Sequence, residues 1–407
     1  MISEIKIKNN PYNIDLNSLI VMGKRANNPK RNFLFISKVL GKHLEVKPNI
    51  CRAIGFLLSE TVYGKNANEI INLIKYINNP NEDIKINNEM NIGFTTEENI
   101  LVLGFAETAT GLGMAVASAI KDSYYITTTR EDITNIKPLI DFEEEHSHAT
   151  NHKAFPIDRD RIMNSERIII VDDEITTGNS MMNIIRDLKR TTGISKYTVL
   201  SILDWRSDEN ISKFKLLAEE LDIEINVSSL ISGSVEFKDT TMYVDNNEIE
   251  ISEKVEQIEL NFLERVNMVC GKENISYLKN SGRFGVQYDE ILNLEDYSKE
   301  IAKKVQAIIG EKEKVLILGH GESIYIPSRI ASKLKGDVEF KSTTRSPIYC
   351  SEEEDNPIKT KHFFYHKGVK YYFYNKDYIE KKYDAVVLLS EDDFNIKLCE
   401  NIVIIKL

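Results

Sequence analysis

Cysteine is scarce and scattered. Cys51, Cys270, Cys350 and Cys399 lie far apart with no CxxC among them, which argues against a disulfide framework and a zinc ribbon and points to a reducing cytosol. No apolar run approaches the ~18 residues that a membrane-spanning helix needs, and the mean hydropathy is -0.30. Met1 to Asn10 alternates charge with isoleucine and lacks the apolar stretch of a signal peptide. With a net charge of -11 there is no basic excess of the kind that marks a general nucleic-acid binder. No P-loop or Ser–His–Asp set is visible, and Gly319-His320-Gly321 opens like a dinucleotide fingerprint but lacks the third glycine. What is present is a globular composition, 42% hydrophobic and 28% charged over 407 residues. The expectation is a cytoplasmic chain of two or three domains, with neither nucleic acid nor membrane as partner.

Apolar runs at 33–37, 99–105, 123–129, 167–171 and 197–203 read as strands, and helical patterns at 50–74, 111–120 and 179–190 fall between them. Strands apolar on both faces that alternate with helices predict a parallel sheet covered on both sides. The long connection 131–165 holds Glu143, Glu144 and Glu145, then His146, His148, His152 and Lys153. A loop of this length is either disordered or a functional lid, and because it joins two core strands the expectation is a flexible lid. The H-x-H-x₃-H spacing admits a transition metal, or histidines that meet substrate phosphates or solvent.

After about Ser234 a charged stretch, with a helix expected over 252–269, leads into a second α/β pattern. It has helices near 297–309 and 325–334 and strands at 314–318, 338–342, 369–374 and 385–389. The predicted division is 1–235, a connecting segment 236–280, and 281–407. One ungapped offset aligns Leu101 with Leu316, Gly104 with Gly319, Glu107 with Glu322, Thr128 with Thr343, Thr129 with Thr344 and Arg130 with Arg345. The matches fall at strand ends, where α/β folds place ligands, so the two halves read as related units.

The strongest chemical signal is Ile168 to Ser180, IIIVDDEITTGNS. A buried strand runs into Asp172 and Asp173, then into Thr176-Thr177-Gly178 at a helix start. Free amides, hydroxyls and the helix dipole make such a start an anion nest, and a glycine lets backbone approach the anion closely. Paired carboxylates beside it suit the hydroxyls of a ribose. The plainer reading is a helix cap with surface acids.

At these residues the chain resembles the type I phosphoribosyltransferases. The resemblance implies a substrate, phosphoribosyl pyrophosphate (PRPP), with Mg²⁺ carried on its diphosphate. It places Asp172 and Asp173 on the ribose hydroxyls and Thr176, Thr177, Gly178, Asn179 and Ser180 on the 5′-phosphate. Phe105-Ala106-Glu107-Thr108-Ala109 looks like the pyrophosphate loop, Arg130 like the basic residue facing the diphosphate, and 131–165 like the closing loop. Glu107 departs from the pattern: either it meets Mg²⁺ directly or its loop has another task. The segment 16–47 carries no Asp or Glu between Leu16 and Leu44 but holds Lys24, Arg25, Lys30, Arg31, Lys38, Lys42 and His43. By itself this is either a solvated basic face or a site for a small anion. Around Ser37, Lys38, Lys42 and His43 it is similar to the hood of the orotate phosphoribosyltransferase branch, which frames the acceptor. Asp204 and Trp205 lie on the same side, the indole free either to stack on a base or to pack.

The string Ser342-Thr343-Thr344-Arg345-Ser346-Pro347 extends the resemblance to phosphoribosyltransferases with a C-terminal TRSP domain. That family accompanies bacterial tellurium-resistance gene clusters and is linked to a nucleoside-like metabolite. The implied fold is α/β: a parallel-sheet type I domain followed by a related but degenerate, Rossmann-like α/β domain. Glu391, Asp392 and Asp393 stand where the acid pair would be, with no Thr-Thr-Gly after them. Gly319, Gly321, Glu322, Thr343, Thr344 and Arg345 form a candidate second site, or merely cap and salt-bridge a strand end. The expected function is Mg²⁺-dependent phosphoribosyl transfer to an unidentified base-like acceptor, or its reverse. A non-catalytic PRPP-binding module is the alternative, and a homodimer is among the partners expected.

Overall fold

Strands buried on both faces have no side to give to water, and the apolar runs behave accordingly. Ile100–Gly104 is buried throughout, as are Ile168 to Val171 in Arg167–Ile175. This computed structural model describes residues 2–26, 32–64, 70–82, 84, 86, 90, 93–143, 151–237, 243–244 and 248–407. The first sheet has seven strands, in the order Ile2–Asn9, Glu224–Phe237, Lys196–Asp204, Arg167–Ile175, Ile100–Gly104, Tyr124–Thr127 and Val286–Gln287. Its inner strands are parallel, and the two edge strands are antiparallel to their neighbours. Helices Ile50–Tyr63 and Ala109–Ala119 pack on each other and on this sheet.

A second sheet of five strands runs Gln257–Glu259, Ile402–Lys406, Ala385–Ser390, Lys314–Gly319 and Asp337–Ser342, all parallel. Lys314–Gly319 lies between the strand that follows it and Ala385–Ser390, as Ile100–Gly104 lies between Tyr124–Thr127 and Arg167–Ile175. The repeated offset is therefore also a repeated topology. One apolar core joins the units: Leu112 and Leu103 belong to the same cluster as Ile324, Ile330 and Phe340. Val286–Gln287, from the chain of the second unit, is an edge strand of the first sheet.

Three expectations change. The helix expected over 252–269 is instead the strand Gln257–Glu259 and the hairpin Arg265–Cys270 with Glu273–Leu278. Alternating Val266, Met268 and Cys270 suits a pleat better than a helix face. The helical pattern at 50–74 divides into Ile50–Tyr63 and a separate helix, Ile71–Asn78. The connection 131–165 is not one open loop. It contains the antiparallel strands Ile140–Glu143 and Asn151–Ala154 and the helix Arg159–Met163. Phe155 is fully buried against a cluster that includes Ile133, Met268, Tyr277 and Phe284. No helix among the described residues is long and apolar enough to cross a membrane.

Candidate active site

The central strand Arg167–Ile175 delivers Asp172 and Asp173, both half-buried, to the edge where its helix begins. The Asp173 amide donates to Asp172 Oδ1 at 2.9 Å, which fixes one carboxylate against the backbone of the next residue. Thr176 and Thr177 follow, and the helix Asn179–Thr192 starts after Gly178, whose φ is +78°. An added Cβ there would meet the Phe214 ring at 2.4 Å, so both the backbone and the space call for glycine. Thr177 Oγ1 accepts from the Asn179 amide at 3.4 Å. Asn179 and Ser180, half-buried, occupy the first turn, where amides and dipole favour an anion.

Beside this nest stands a residue that the sequence reading missed. Arg206 is buried, donates to Asp204 through Nε (2.9 Å) and Nη2 (2.7 Å), and lies over the Phe214 ring at 4.5 Å. Its Cδ would be 3.5 Å from a Cβ on Gly178. Asp204 therefore holds Arg206 beside the nest. The available signal was the close Asp204-Trp205-Arg206 spacing at a strand end. Trp205 takes its packing role: it is buried, with its ring centroid 5.7 Å from that of Phe35.

The loop after Ile100–Gly104 is held from several sides. Ala106 N–H donates to Thr128 Oγ1 at 2.9 Å, and the Ala106–Glu107 peptide is cis. Lys42 Nζ donates to Thr108 Oγ1 at 2.7 Å and stands 3.6 Å from Glu107. Glu107 itself is buried, and its two oxygens accept from Thr344 Oγ1 and the Arg345 amide, both at 3.2 Å. In this structure the Glu107 carboxylate thus makes inter-unit hydrogen bonds, one on each oxygen. Arg130 is half-buried, and its amide donates to Glu322 Oε1 at 3.1 Å.

The hood residues diverge. Ser37 Oγ accepts from the Val39 amide at 3.2 Å, and the exposed Lys38 reaches the Asn17 carbonyl at 2.6 Å. His43 is buried; burial pushes its imidazole well below the usual range, and Lys42, Lys341 and Arg25 push it further. It carries no charge at neutral pH. Of these four residues only Lys42 reaches the 105–108 loop. In the lid, His152 is buried with Nδ1 3.2 Å from Thr128 Oγ1, and Lys153 pairs with Asp132 at 3.0 Å. His146 and His148 lie outside the described residues, as do Lys30 and Arg31 of the basic stretch.

The second unit's candidate residues also gather at one edge. Gly321 N–H donates to Thr343 Oγ1 at 3.2 Å, His320 Nδ1 is 2.8 Å from the same oxygen, and Thr343 N–H donates to the Gly319 carbonyl at 3.2 Å. The Arg345 guanidinium is held by the Tyr371 hydroxyl at 2.9 and 3.1 Å. Glu322, however, turns to the first unit, accepting from Thr129 Oγ1 at 2.8 Å as well as from Arg130. Burial raises its carboxyl, but Arg283 and Arg345, with those hydrogen bonds, more than offset this and hold it below the usual carboxylate range. Arg283 also meets Glu391 at 2.6 Å.

A family model described as phosphoribosyl transferase matches residues 19–234, and one described as the TRSP domain C-terminal to it matches residues 280–405. No curated protein matches the chain. Among solved structures it is similar to the adenine phosphoribosyl transferase of Trypanosoma brucei in complex with AMP, pyrophosphate and ribose-5-phosphate. That likeness has 15% identity and a TM-score of 0.34, covering 55% of this chain and 80% of the other. For the adenine phosphoribosyltransferase of Leishmania donovani the identity is 12% and the TM-score 0.28, over 53% and 78% of the two chains. The first family model spans more than half of the sequence, and the residues it matches include the parallel inner strands of the first sheet and the stretch 168–180 on which the resemblance rested. The chain belongs to the phosphoribosyl transferase family and carries a C-terminal TRSP domain.

Proposed function

We propose that the chain transfers a 5-phosphoribosyl group from PRPP to a base-like acceptor, or runs the reverse reaction. The observation that carries this reading is the unit of buried strand, acid pair, Thr-Thr-Gly turn and helix start, with Gly178 at φ +78°. The amides of Gly178 to Ser180 take the 5′-phosphate, with Arg206 behind them. Asp172 and Asp173 accept from the ribose hydroxyls. The diphosphate lies toward the 105–108 loop, Arg130 and Lys42. In the reaction the anomeric C–O bond breaks, its electron pair leaves on the diphosphate, and a C–N bond forms to the acceptor. Cationic side chains held in place stabilise the charge that develops on the leaving group without reorganising.

Mg²⁺ commonly keeps several waters and takes one or two carboxylates plus substrate phosphates. Asp172 and Asp173 each offer hard oxygen donors of the kind such a shell uses, and the ion would supply charge neutralisation to the diphosphate. The finer form of the proposal is a nucleoside-like product in a tellurium-linked stress response, made in the cytoplasm.

The test is Asp172→Asn combined with Asp173→Asn. Calorimetry with PRPP and Mg²⁺, and pyrophosphate release with a panel of bases, should both fall about tenfold or more, because hydrogen bonds to charged acceptors are lost. An unchanged PRPP affinity would sink the assignment. PRPP binding by the wild type without pyrophosphate release from any base would favour a binding module.

A further inference from the structure

The contacts between the units are reciprocal. Glu322 of the second unit accepts from Thr129 Oγ1 at 2.8 Å and the Arg130 amide at 3.1 Å. Glu107 of the first accepts from Thr344 Oγ1 and the Arg345 amide, both at 3.2 Å. Within each unit the preceding threonine holds its own loop: Ala106 N–H donates to Thr128 Oγ1 at 2.9 Å, and Gly321 N–H to Thr343 Oγ1 at 3.2 Å. Each is the other's counterpart under the single sequence offset that aligns Glu107 with Glu322. Together the bonds close a circuit: the 106–107 loop, Thr344 and Thr343, the 321–322 loop, Thr129 and Thr128, and back to Ala106.

Both carboxylates are desolvated, with side-chain exposures of 3% for Glu107 and 7% for Glu322. A bond from hydroxyl or amide to a buried carboxylate is stronger and more directional than a neutral one. The circuit also couples its parts. Thr128 holds the loop on one side while its neighbours Thr129 and Arg130 are held on the other, so neither can shift without breaking a bond to a desolvated partner.

From this we infer that Glu322 is a positioning residue for the first unit. It fixes Thr129–Arg130, and through Thr128 the 105–108 loop, so that the TRSP unit serves as a built-in second subunit completing the diphosphate side of the site. The inference rests on the function proposed above. The nest at 176–180 lies on a different strand end and takes no part in the circuit, so the two halves of the substrate should respond differently.

The experiment uses the full chain, with Glu322→Gln and, independently, Thr129→Val, each checked for folding by urea unfolding. Calorimetry measures inorganic pyrophosphate with Mg²⁺ and, separately, ribose 5-phosphate. Each variant should weaken pyrophosphate binding about tenfold while leaving ribose 5-phosphate binding within about twofold. The double variant should fall short of the sum of the two single losses, since the Thr129–Glu322 bond is common to both. Equal loss for the two ligands would show a merely structural role and overturn the inference, as would unchanged pyrophosphate affinity in both variants. If the wild type binds ribose 5-phosphate but not pyrophosphate, the inference fails alone; if it binds neither, the proposed function fails with it. Should Glu322→Gln not fold, Thr129→Val decides.

Discussion

Gly178 and Gly193 bound the same helix, and the contrast between them isolates what the nest demands. Both sit at positive φ, +78° and +76°. At Gly193 an added methyl would meet nothing within 4 Å, whereas at Gly178 it would strike Phe214 at 2.4 Å. Gly193→Ala should therefore cost only the left-handed strain of about 1–2 kcal/mol and leave ligand affinity alone. Gly178→Ala should cost more, because Phe214 must move and Arg206 stacks on that ring. Its PRPP affinity should fall about tenfold or more, since the amides then shift from the phosphate. Urea titrations and calorimetry on both variants check the pair. Equal effects would mean that crowding at Gly178 has no bearing on binding.

Among the elements, the connection 131–165 is the most informative. Its strands Ile140–Glu143 and Asn151–Ala154 flank the residues outside the description, and Phe155 anchors the base. Lys153 and Thr129 exchange backbone hydrogen bonds, at 2.8 and 3.0 Å, which sews that base to the end of Tyr124–Thr127. Phe155→Ala leaves a cavity among Ile133, Met268, Tyr277 and Phe284, and such truncations cost about 3–5 kcal/mol. Hydrogen exchange should then rise first in 151–165 and in the hairpin Arg265–Cys270 with Glu273–Leu278. Faster exchange spread evenly over the first sheet would show that the cluster is not a separate support.

Across the whole molecule, one largely buried cluster of charges joins the units. Glu295 of the helix Tyr288–Ile309 meets Arg329 at 2.5 and 3.0 Å and Lys333 at 2.7 Å, with Arg52 of the first unit 3.9 Å away. Burial raises the Glu295 carboxyl, but Arg329, Arg52 and Lys333 prevail and hold it well below the usual carboxylate range. The folded-state pKa thus lies below the unfolded value of about 4.3. The stabilisation is accordingly present in full above that value and is lost as pH falls from it toward the folded pKa. Glu295→Gln strands buried cations and should cost about 3–5 kcal/mol at neutral pH. It should also flatten the acid limb of the stability curve below about pH 4. Trp205 fluorescence and far-ultraviolet circular dichroism should report one coincident transition, since the core runs through both units. Separate midpoints would overturn that reading.

The sequence by itself determined the parallel-sheet core, the strand–acid pair–Thr-Thr-Gly unit and the repeat. Each depends on local periodicity, or on residue types whose backbone needs are fixed within a few positions. It could not tell what Glu107 and Glu322 face, because their partners are 237 and 193 residues away in the chain. Nor could it tell that Asp204 is consumed by Arg206, that His43 is buried and neutral, or that a charged stretch at 265–278 forms a hairpin. Those outcomes turn on which surfaces meet and which charges lose water, and only tertiary packing decided them, within the first unit for Asp204 and between the units for Glu107, Glu322 and His43.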